Sequence, residues 1–294
     1  MAPATVSHAL LINNGQVNTI NSTINDFIEV DNRPDGAPTT VIFESPANIT
    51  GTDSFDDTVF VFGPSRVVIN GGSFVNDITG LDDARIVING GDLGDDVVLF
   101  DDSIGRINGG MIDENVEALD DSMLTVTGGV IGDNLTAEDD ATIVLSGGRV
   151  GNDVEAIGGG SVTIRGGTIG ADIEAAGSGT IDIFGGTLEG INLDNGIASG
   201  GRSVITLYGP EFRIDGELVD FGEITDFSGL LSGTLSDNST FEDIPFERRT
   251  EGFFVRRTGS IVLVQQNIPE PASLVLVLGG AGVVMFSQRR RGED

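Results

Sequence analysis

The chain has 294 residues, of which 46 are acidic and 15 basic, and its net charge is −31 at pH 7. This charge argues against nucleic acid as a partner, because an acidic surface repels phosphate backbones, and it favours attraction of cations. The absence of cysteine excludes disulfides, thiolate metal sites and cysteine nucleophiles. Since His8 is the single histidine, a histidine-based catalytic triad or metal site is excluded as well.

The first 50 residues have the weakest pattern in the chain. Short apolar stretches occur, but they follow no fixed spacing. We therefore expect residues 1–50 to form one or two irregular coils that cap a repeat array, because terminal repeats are commonly atypical.

Residues 51–208 are organised by a repeat of 19 residues. Each regular unit carries a Gly-Gly pair, and consecutive pairs are 19 residues apart. The pairs are Gly71-Gly72, Gly90-Gly91, Gly109-Gly110, Gly128-Gly129, Gly147-Gly148, Gly166-Gly167 and Gly185-Gly186. A unit of this length is too short for two helices, and a glycine pair disfavours a helix in its middle.

Apolar side chains recur at fixed distances from each glycine pair. In one typical unit Ile143 and Leu145 point one way, while Thr142, Val144 and Ser146 point the other way. This two-residue alternation is typical of strands and not of helices. The sequence therefore predicts an all-β fold, a parallel β-solenoid of 19-residue coils whose apolar columns stack inside the tube. A right-handed β-helix is favoured, because the unit lacks the six-residue rhythm of left-handed solenoids.

Residues 209–264 keep strand-like alternation but leave the 19-residue register, as the segments FRIDGELVDF and GSIVLV show. We expect this region to form a C-terminal β-cap. Such a cap would protect the open edge of the last coil, since an exposed strand edge is a template for aggregation.

Two ladders of acidic residues follow the same spacing and are candidate metal ligands. One ladder holds Asp82-Asp83, Asp101-Asp102, Asp120-Asp121 and Asp139-Asp140, and the other holds Asp77, Asp96, Asn115, Asn134, Asp153 and Asp172. Aspartate and asparagine suit turns and tolerate left-handed backbone conformations, so turn formation alone explains both ladders. Clustered carboxylates also bind Ca²⁺, and the four Asp pairs could therefore be its ligands. No other cofactor is predicted.

One stretch of this array, residues 90–96 (GGDLGDD), resembles the RTX-type Ca²⁺-binding repeat GGxGxDxUx. It differs by one inserted apolar residue, and it occurs once in each 19-residue unit. The resemblance implies Ca²⁺ binding, and it supports the alternative of a Ca²⁺-stabilised adhesion or matrix rod.

Catalysis is not predicted, and no residue is assigned a catalytic role. Parallel β-helices that cleave acidic polysaccharides generally carry long loop insertions and a groove with basic residues or clustered aspartates. These coils are nearly free of insertions, and although Arg66 and Arg85 align on an outward column, no base is placed opposite them. A polysaccharide lyase or hydrolase is therefore the least favoured alternative. Binding of an extracellular polysaccharide along one face of the rod stays open.

The last 26 residues change composition abruptly. Pro269-Glu270-Pro271 is followed by an uncharged apolar run, residues 272–286, and then by Arg289, Arg290 and Arg291. As a helix this run spans ~22 Å, which is shorter than the ~30 Å hydrocarbon core of a bilayer. We expect a short transmembrane helix suited to a processed anchor, with the basic cluster on the cytoplasmic side.

This order of parts resembles the PEP-CTERM sorting signal and places it in residues 265–294. The resemblance implies that an exosortase-like membrane protease recognises Pro269, Glu270 and Pro271. It also implies that the apolar run inserts transiently in the inner membrane of a Gram-negative bacterium, with Arg289, Arg290 and Arg291 setting its orientation. Removal of the tail would then send the body to the cell surface or the extracellular matrix.

Proteins with this signal are also expected to begin with a secretory signal peptide. Residues 1–25 have no basic segment and only a four-residue apolar run, residues 9–12. We therefore expect the signal peptide to lie upstream of these residues. The sequence as a whole predicts an exported structural or interaction protein and not an enzyme.

Overall fold

The computed structural model describes residues 9–51, 57–188, 197–200, 202–226, 228–249 and 259–266, with the backbone alone for 197–200, 248 and 249. Within these residues the fold is all-β, and three long sheets form a parallel β-solenoid. Each coil contributes one strand to sheet 1, then one to sheet 2 and one to sheet 3. We number the coils from the first, residues 10–24, to the ninth, residues 173–188, and a tenth begins at residues 197–209.

The strands of each sheet are given in their order of hydrogen bonding. Sheet 1 contains Leu10–Ile12, Ile28–Val30, Asp57–Val61, Asp77–Gly80, Val97–Leu99, Val116–Ala118, Leu135–Ala137, Val154–Ala156, Ile173–Ala175, Ile197–Gly200, Thr240–Arg249, Ser228–Thr234, Glu211–Ile214 and Glu217–Leu218. Sheet 2 contains Val17–Ile20, Thr40–Phe43, Arg66–Ile69, Arg85–Ile88, Ile104–Ile107, Met123–Val126, Thr142–Leu145, Ser161–Ile164, Thr180–Ile183, Val204–Gly209, Ser260–Gln265 and Gly222–Glu223. Sheet 3 contains Thr187–Leu188, Thr168–Ile169, Arg149–Val150, Val130–Ile131, Met111–Ile112, Asp92–Leu93, Ser73–Phe74, Asn48–Ile49 and Thr23–Ile24.

The strand register follows the sequence repeat. In sheet 2, for example, Met123 pairs with Thr142 and Thr142 pairs with Ser161, which are steps of one unit. The predicted parallel β-solenoid with 19-residue coils is thereby confirmed, while its right-handedness stays a prediction. The first two coils join the same three sheets, although their partners, such as Val17 and Thr40, do not keep the 19-residue spacing.

The core is the inside of the tube. The column two residues before each glycine pair is at most 2% exposed, and it consists of Ile69, Ile88, Ile107, Val126, Leu145, Ile164 and Ile183. Side chains of all three sheets join it in one continuous hydrophobic cluster. Because each coil can bury these side chains only by stacking on its neighbours, the stability of the rod depends on contacts between adjacent coils.

The glycine pairs allow the coils to approach each other closely. A Cβ atom on Gly128 would lie 2.6 Å from the backbone oxygen of Asn108 in the coil before it. Gly129 has a φ of +93°, in the left-handed region that favours glycine. The first glycine of a pair therefore allows close stacking, and the second allows the turn into sheet 3.

The C-terminal end of the tube is closed by further β-structure. Ser260–Gln265 adds a parallel strand to the tenth coil, and a small antiparallel sheet forms from Glu211–Ile214, Ser228–Thr234 and Thr240–Arg249. Buried side chains of this sheet, including Phe212 and Phe246, belong to the same hydrophobic cluster as the tube. In the part of the chain that the structure describes, no helix is long and apolar enough to cross a membrane. The helix predicted at residues 272–286 lies outside that part.

Candidate functional site

The four predicted Asp pairs form the corner between sheet 1 and sheet 2. The first aspartate of each pair has a φ of 56° or 57°, and Gly63, Gly158 and Gly177 have similarly positive values at the same corner of other coils. Aspartate is among the few residues other than glycine that tolerate this conformation. All eight carboxylates, those of Asp82, Asp83, Asp101, Asp102, Asp120, Asp121, Asp139 and Asp140, are exposed to solvent.

The first aspartates also connect adjacent coils. The backbone N–H of Asp82 donates to Asp101 Oδ2 at 3.0 Å, and that of Asp101 donates to Asp120 Oδ2 at 3.1 Å. The N–H of Gly63 donates to Asp82 Oδ2 in the same way, at 3.2 Å. The corner ladder thus satisfies backbone donors that a left-handed turn leaves without a strand partner.

The second ladder lies at the opposite corner, between sheet 3 and sheet 1, and its hydrogen bonds run in the other direction. The N–H of Asp96 donates to Asp77 Oδ1 at 3.1 Å, and the N–H of Asn115 donates to Asp96 Oδ1 at 2.6 Å. The series continues through Asn134, Asp153 and Asp172. Here a side chain of one coil accepts from the next coil, whereas at the Asp corner it accepts from the coil before.

One acidic group has the geometry to hold a metal ion. Among the described residues, Asp77, Asp95 and Asp96 can each place a carboxylate oxygen within 4.8 Å of the other two, and all three are half-buried. Asp77 belongs to coil 4, and Asp95 and Asp96 precede the first strand of coil 5. Three converging carboxylates are a ligand set suited to Ca²⁺.

The electrostatics of this group are unfavourable without a counter-charge. Burial raises the pKa of Asp77 from 3.8 to about 7, against the opposing effect of the hydrogen bond from Asp96, and the charges of Asp95, Asp96 and Asp57 add to the rise. The carboxylate of Asp95 is likewise the main cause of a raised pKa at Glu114. A bound cation would relieve both effects, because it stabilises the ionised form of each carboxyl.

Asp57 supports the group from inside. It is 8% exposed and accepts a hydrogen bond from the hydroxyl of Thr79, which is 6% exposed. Thr79 lies on the same strand as Asp77. The buried Asp57 therefore places a further negative charge close to the three carboxylates.

The metal group differs from the residues expected from the sequence. The RTX-like stretch supplies Asp95 and Asp96, but the third member, Asp77, comes from the coil before. Spacing alone could have found it, since Asp77 and Asp96 are one repeat apart. The eight residues of the Asp pairs, which were the predicted ligands, form the corner turns instead of this group. Pro269, Glu270, Pro271, Arg289, Arg290 and Arg291 lie outside the described residues.

Carboxylates also line the outer surface of sheet 1. Burial raises the pKa of Glu117 and of Glu155, and neighbouring carboxylates add to both rises. Thr136 donates a hydrogen bond to Glu155 Oε2 at 2.9 Å, which partly offsets the effect. Sheet 1 thus presents an acidic face along the rod.

Comparison with known proteins gives no relative. No protein-family model matches the chain, and searches of curated proteins and of solved structures find no match either.

Proposed function

We propose that the chain is an exported structural or interaction protein of the cell surface or extracellular matrix, sorted by an exosortase-like system through its C-terminal tail. The observation that carries the proposal is the order of parts in residues 265–294. A Pro-Glu-Pro motif is followed by an uncharged apolar run and an arginine triplet. In this function the tail inserts in the inner membrane, is cut off, and leaves the rod outside.

The fold is compatible with such a role. The described coils form one continuous hydrophobic cluster that runs into the C-terminal antiparallel sheet. Repeat rods of this kind present long faces on which partners can bind. The high negative charge keeps separate copies soluble at high local concentration.

The tail is tested by changing its charge without touching the rod. We expect the triple variant Arg289→Gln, Arg290→Gln, Arg291→Gln to accumulate in the membrane fraction uncut, because cytoplasmic basic residues fix the orientation of a membrane segment. The matched control replaces the same three residues with Lys, which keeps the charge and should keep sorting. Both variants are expressed behind a secretory signal in a Gram-negative host that has an exosortase, and cleavage is followed by the loss of tail mass.

Normal cleavage and surface delivery of the glutamine variant would overturn the assignment. A second variant, Glu270→Ala with Pro269→Ala and Pro271→Ala, separates recognition from insertion. We expect it to reach the membrane with the correct orientation and to remain uncut there.

A second candidate function is a Ca²⁺-stabilised adhesion or matrix rod, and the convergence of Asp77, Asp95 and Asp96 favours it. Because Ca²⁺ that binds only the folded state raises stability by mass action, excess Ca²⁺ should raise the melting temperature above that in EDTA. The double variant Asp95→Asn, Asp96→Asn should lose this response. An equal response in the wild type and the double variant, or none in the wild type, would exclude this group as a Ca²⁺ site.

A further inference from the structure

The acidic residues are distributed unevenly around the rod, and one face has almost none. In coils 3–10 the outward residues of sheet 2, together with the residue after each strand, include a single acid, Asp182, and four arginines, Arg66, Arg85, Arg106 and Arg165. We call these 24 positions the sheet 2 face. The remaining positions of the face are mainly Thr, Ser, Val and Asn, in a chain with three acids for each basic residue.

Two arginines on this face have no carboxylate to pair with. Arg66 and Arg85 are exposed and directly adjacent in the sheet, and neither makes an ion pair with a described residue. Arg106 donates a hydrogen bond to Asn108 Oδ1 at 2.8 Å. Adjacent like charges repel each other, so an external carboxylate would stabilise this pair.

The middle of the face is apolar. Ile104 and Met123 are neighbours in sheet 2 and are 41% and 55% exposed. They occupy coils 5 and 6, between the arginines of coils 3–5 and the polar end at coils 7–9. An apolar centre with a polar rim is the usual composition of a protein–protein interface.

At the far end the face is ordered by an aromatic stack. The rings of Phe184 and Tyr208 stack with centroids 4.1 Å apart, and the Arg165 guanidinium lies 4.8 Å from the Phe184 ring centre. The Tyr208 hydroxyl donates to Asp182 Oδ1 at 3.3 Å, which fixes this acid on the surface of the sheet.

We propose that the sheet 2 face binds a second copy of this chain, with the two rods antiparallel and face to face. This arrangement keeps the acidic sheet 1 faces of both copies away from each other. With the two-fold axis at coil 6, coil 3 of one copy lies over coil 9 of its partner, so Arg66 meets the coil that carries Asp182. A parallel arrangement would instead place Arg66 and Arg85 over their own counterparts, which like-charge repulsion disfavours.

The size of the face fits a modest dimer. Ten coils at a strand separation of about 4.8 Å give a length of about 43 Å, and four residues at about 3.3 Å give a width of about 13 Å. The two faces together then cover about 1,100 Å², which lies at the lower end of specific interfaces. The dimer does not depend on the C-terminal tail, so it goes beyond the sorting role.

The absence of cysteine makes the proposal directly testable by cross-linking. Thr125→Cys places one thiol on the sheet 2 face at coil 6, and Val130→Cys places one on sheet 3 of the same coil. In the oxidised full-length chain we expect Thr125→Cys to form covalent dimer at least about tenfold faster than Val130→Cys, an affinity difference of about 1.4 kcal/mol. Association through the apolar tail would raise both rates equally.

Orientation is read from a mixed pair of variants. Arg85→Cys and Ser161→Cys lie in coils 4 and 8, which face each other in the antiparallel dimer. Mixed and oxidised, they should form the heterodimer in preference to either homodimer. Equal rates for Thr125→Cys and Val130→Cys would overturn the interface, and a dominant Arg85→Cys homodimer would overturn the antiparallel arrangement.

Discussion

The corner between sheet 1 and sheet 2 is built in two ways along one rod. In coils 4–7 it contains an Asp pair followed by Ala or Ser, and in coils 8 and 9 it contains Gly158-Gly159-Gly160 and Gly177-Ser178-Gly179. The first residue has nearly the same φ in both, 56–57° for Asp and 67° for Gly. The difference therefore does not lie in the left-handed residue, for which either amino acid serves.

The difference lies in the residue that ends the turn. A Cβ atom at Gly160 would lie 2.2 Å from the backbone oxygen of Ala137, and one at Gly179 would lie 2.1 Å from that of Ala156. The Asp corners end instead in a buried residue that has a Cβ, such as Ala141 or Ser122. Two sequences that look interchangeable in a repeat alignment thus differ in how closely consecutive coils approach.

The strongest test of this comparison exchanges the corner residues one at a time. We expect Gly160→Ala to lower the free energy of unfolding by about 3 kcal/mol, because its Cβ would overlap the backbone of the neighbouring coil. Gly158→Asp should change it by less than about 1 kcal/mol, because aspartate already occupies this place in four coils. Denaturant unfolding followed by circular dichroism measures both. A mild effect of Gly160→Ala, equal to that of Gly158→Asp, would show that the two corner types are interchangeable.

A smaller effect is expected from pH, and it contrasts the acidic corner of coils 4 and 5 with the Asn115 and Asn134 corners. Since the folded-state pKa of Asp77 is raised from 3.8 to about 7, the folded chain binds more protons than the unfolded chain between these values. Stability should therefore fall as pH rises through this window, by about 1–2 kcal/mol after allowance for solvent screening. The raised pKa values of Glu117 and Glu155 act in the same direction.

The variant Asp77→Asn isolates the contribution of this carboxyl. Its amide keeps an oxygen that can accept the N–H of Asp96, but it cannot ionise. Melting temperatures across pH 5 to 8 should accordingly vary less in the variant than in the wild type. An unchanged pH profile would mean that the proton is bound elsewhere.

The regular part of the fold could be predicted from the sequence because its causes are local and periodic. Alternating apolar residues and glycine pairs at a constant interval require stacked strands, and each column then becomes a ladder. Even the irregularity at Gly105 has a local cause, since a Cβ there would lie 2.5 Å from Leu99 Cδ1, which fills the space. A large residue in one column compensates a missing one in the facing column.

The candidate site could be predicted only in part. The sequence shows which residues share a column but not which columns come together at a corner. Asp77 and Asp95 belong to different coils and different columns, and only the fold brings them together. The acid-poor face was equally invisible, because it requires knowing that the residues of sheet 2 share one surface. The position of the tail follows from composition and order alone, and its function rests on the resemblance.

The next effect concerns the hydroxyl groups inside the tube beside the Asp corners. Ser65, Ser103 and Ser122 are fully buried, and their Oγ atoms have no hydrogen-bond partner among the described residues. Ala84 and Ala141 occupy the same column in neighbouring coils. We expect Ser103→Ala and Ser122→Ala each to raise stability by about 1 kcal/mol, since an unsatisfied buried hydroxyl is removed. The reverse change, Ala84→Ser, should cost a similar amount, and a loss of stability in Ser103→Ala would indicate an enclosed water molecule bound to its hydroxyl.

The smallest effect distinguishes turn formation from metal binding at the Asp pairs. Asp120→Asn keeps an acceptor for the N–H of Asp101 and a residue that tolerates the left-handed conformation, so we expect a change below about 0.5 kcal/mol. Asp120→Gly keeps the conformation but removes the acceptor, and it should cost about 0.5–1 kcal/mol. If the pairs are turn residues, the difference in melting temperature between Ca²⁺ and EDTA will be the same in Asp120→Asn as in the wild type. A reduced difference in Asp120→Asn would instead assign the ion to the corner ladder, and the group at Asp77, Asp95 and Asp96 would then be a second site or none.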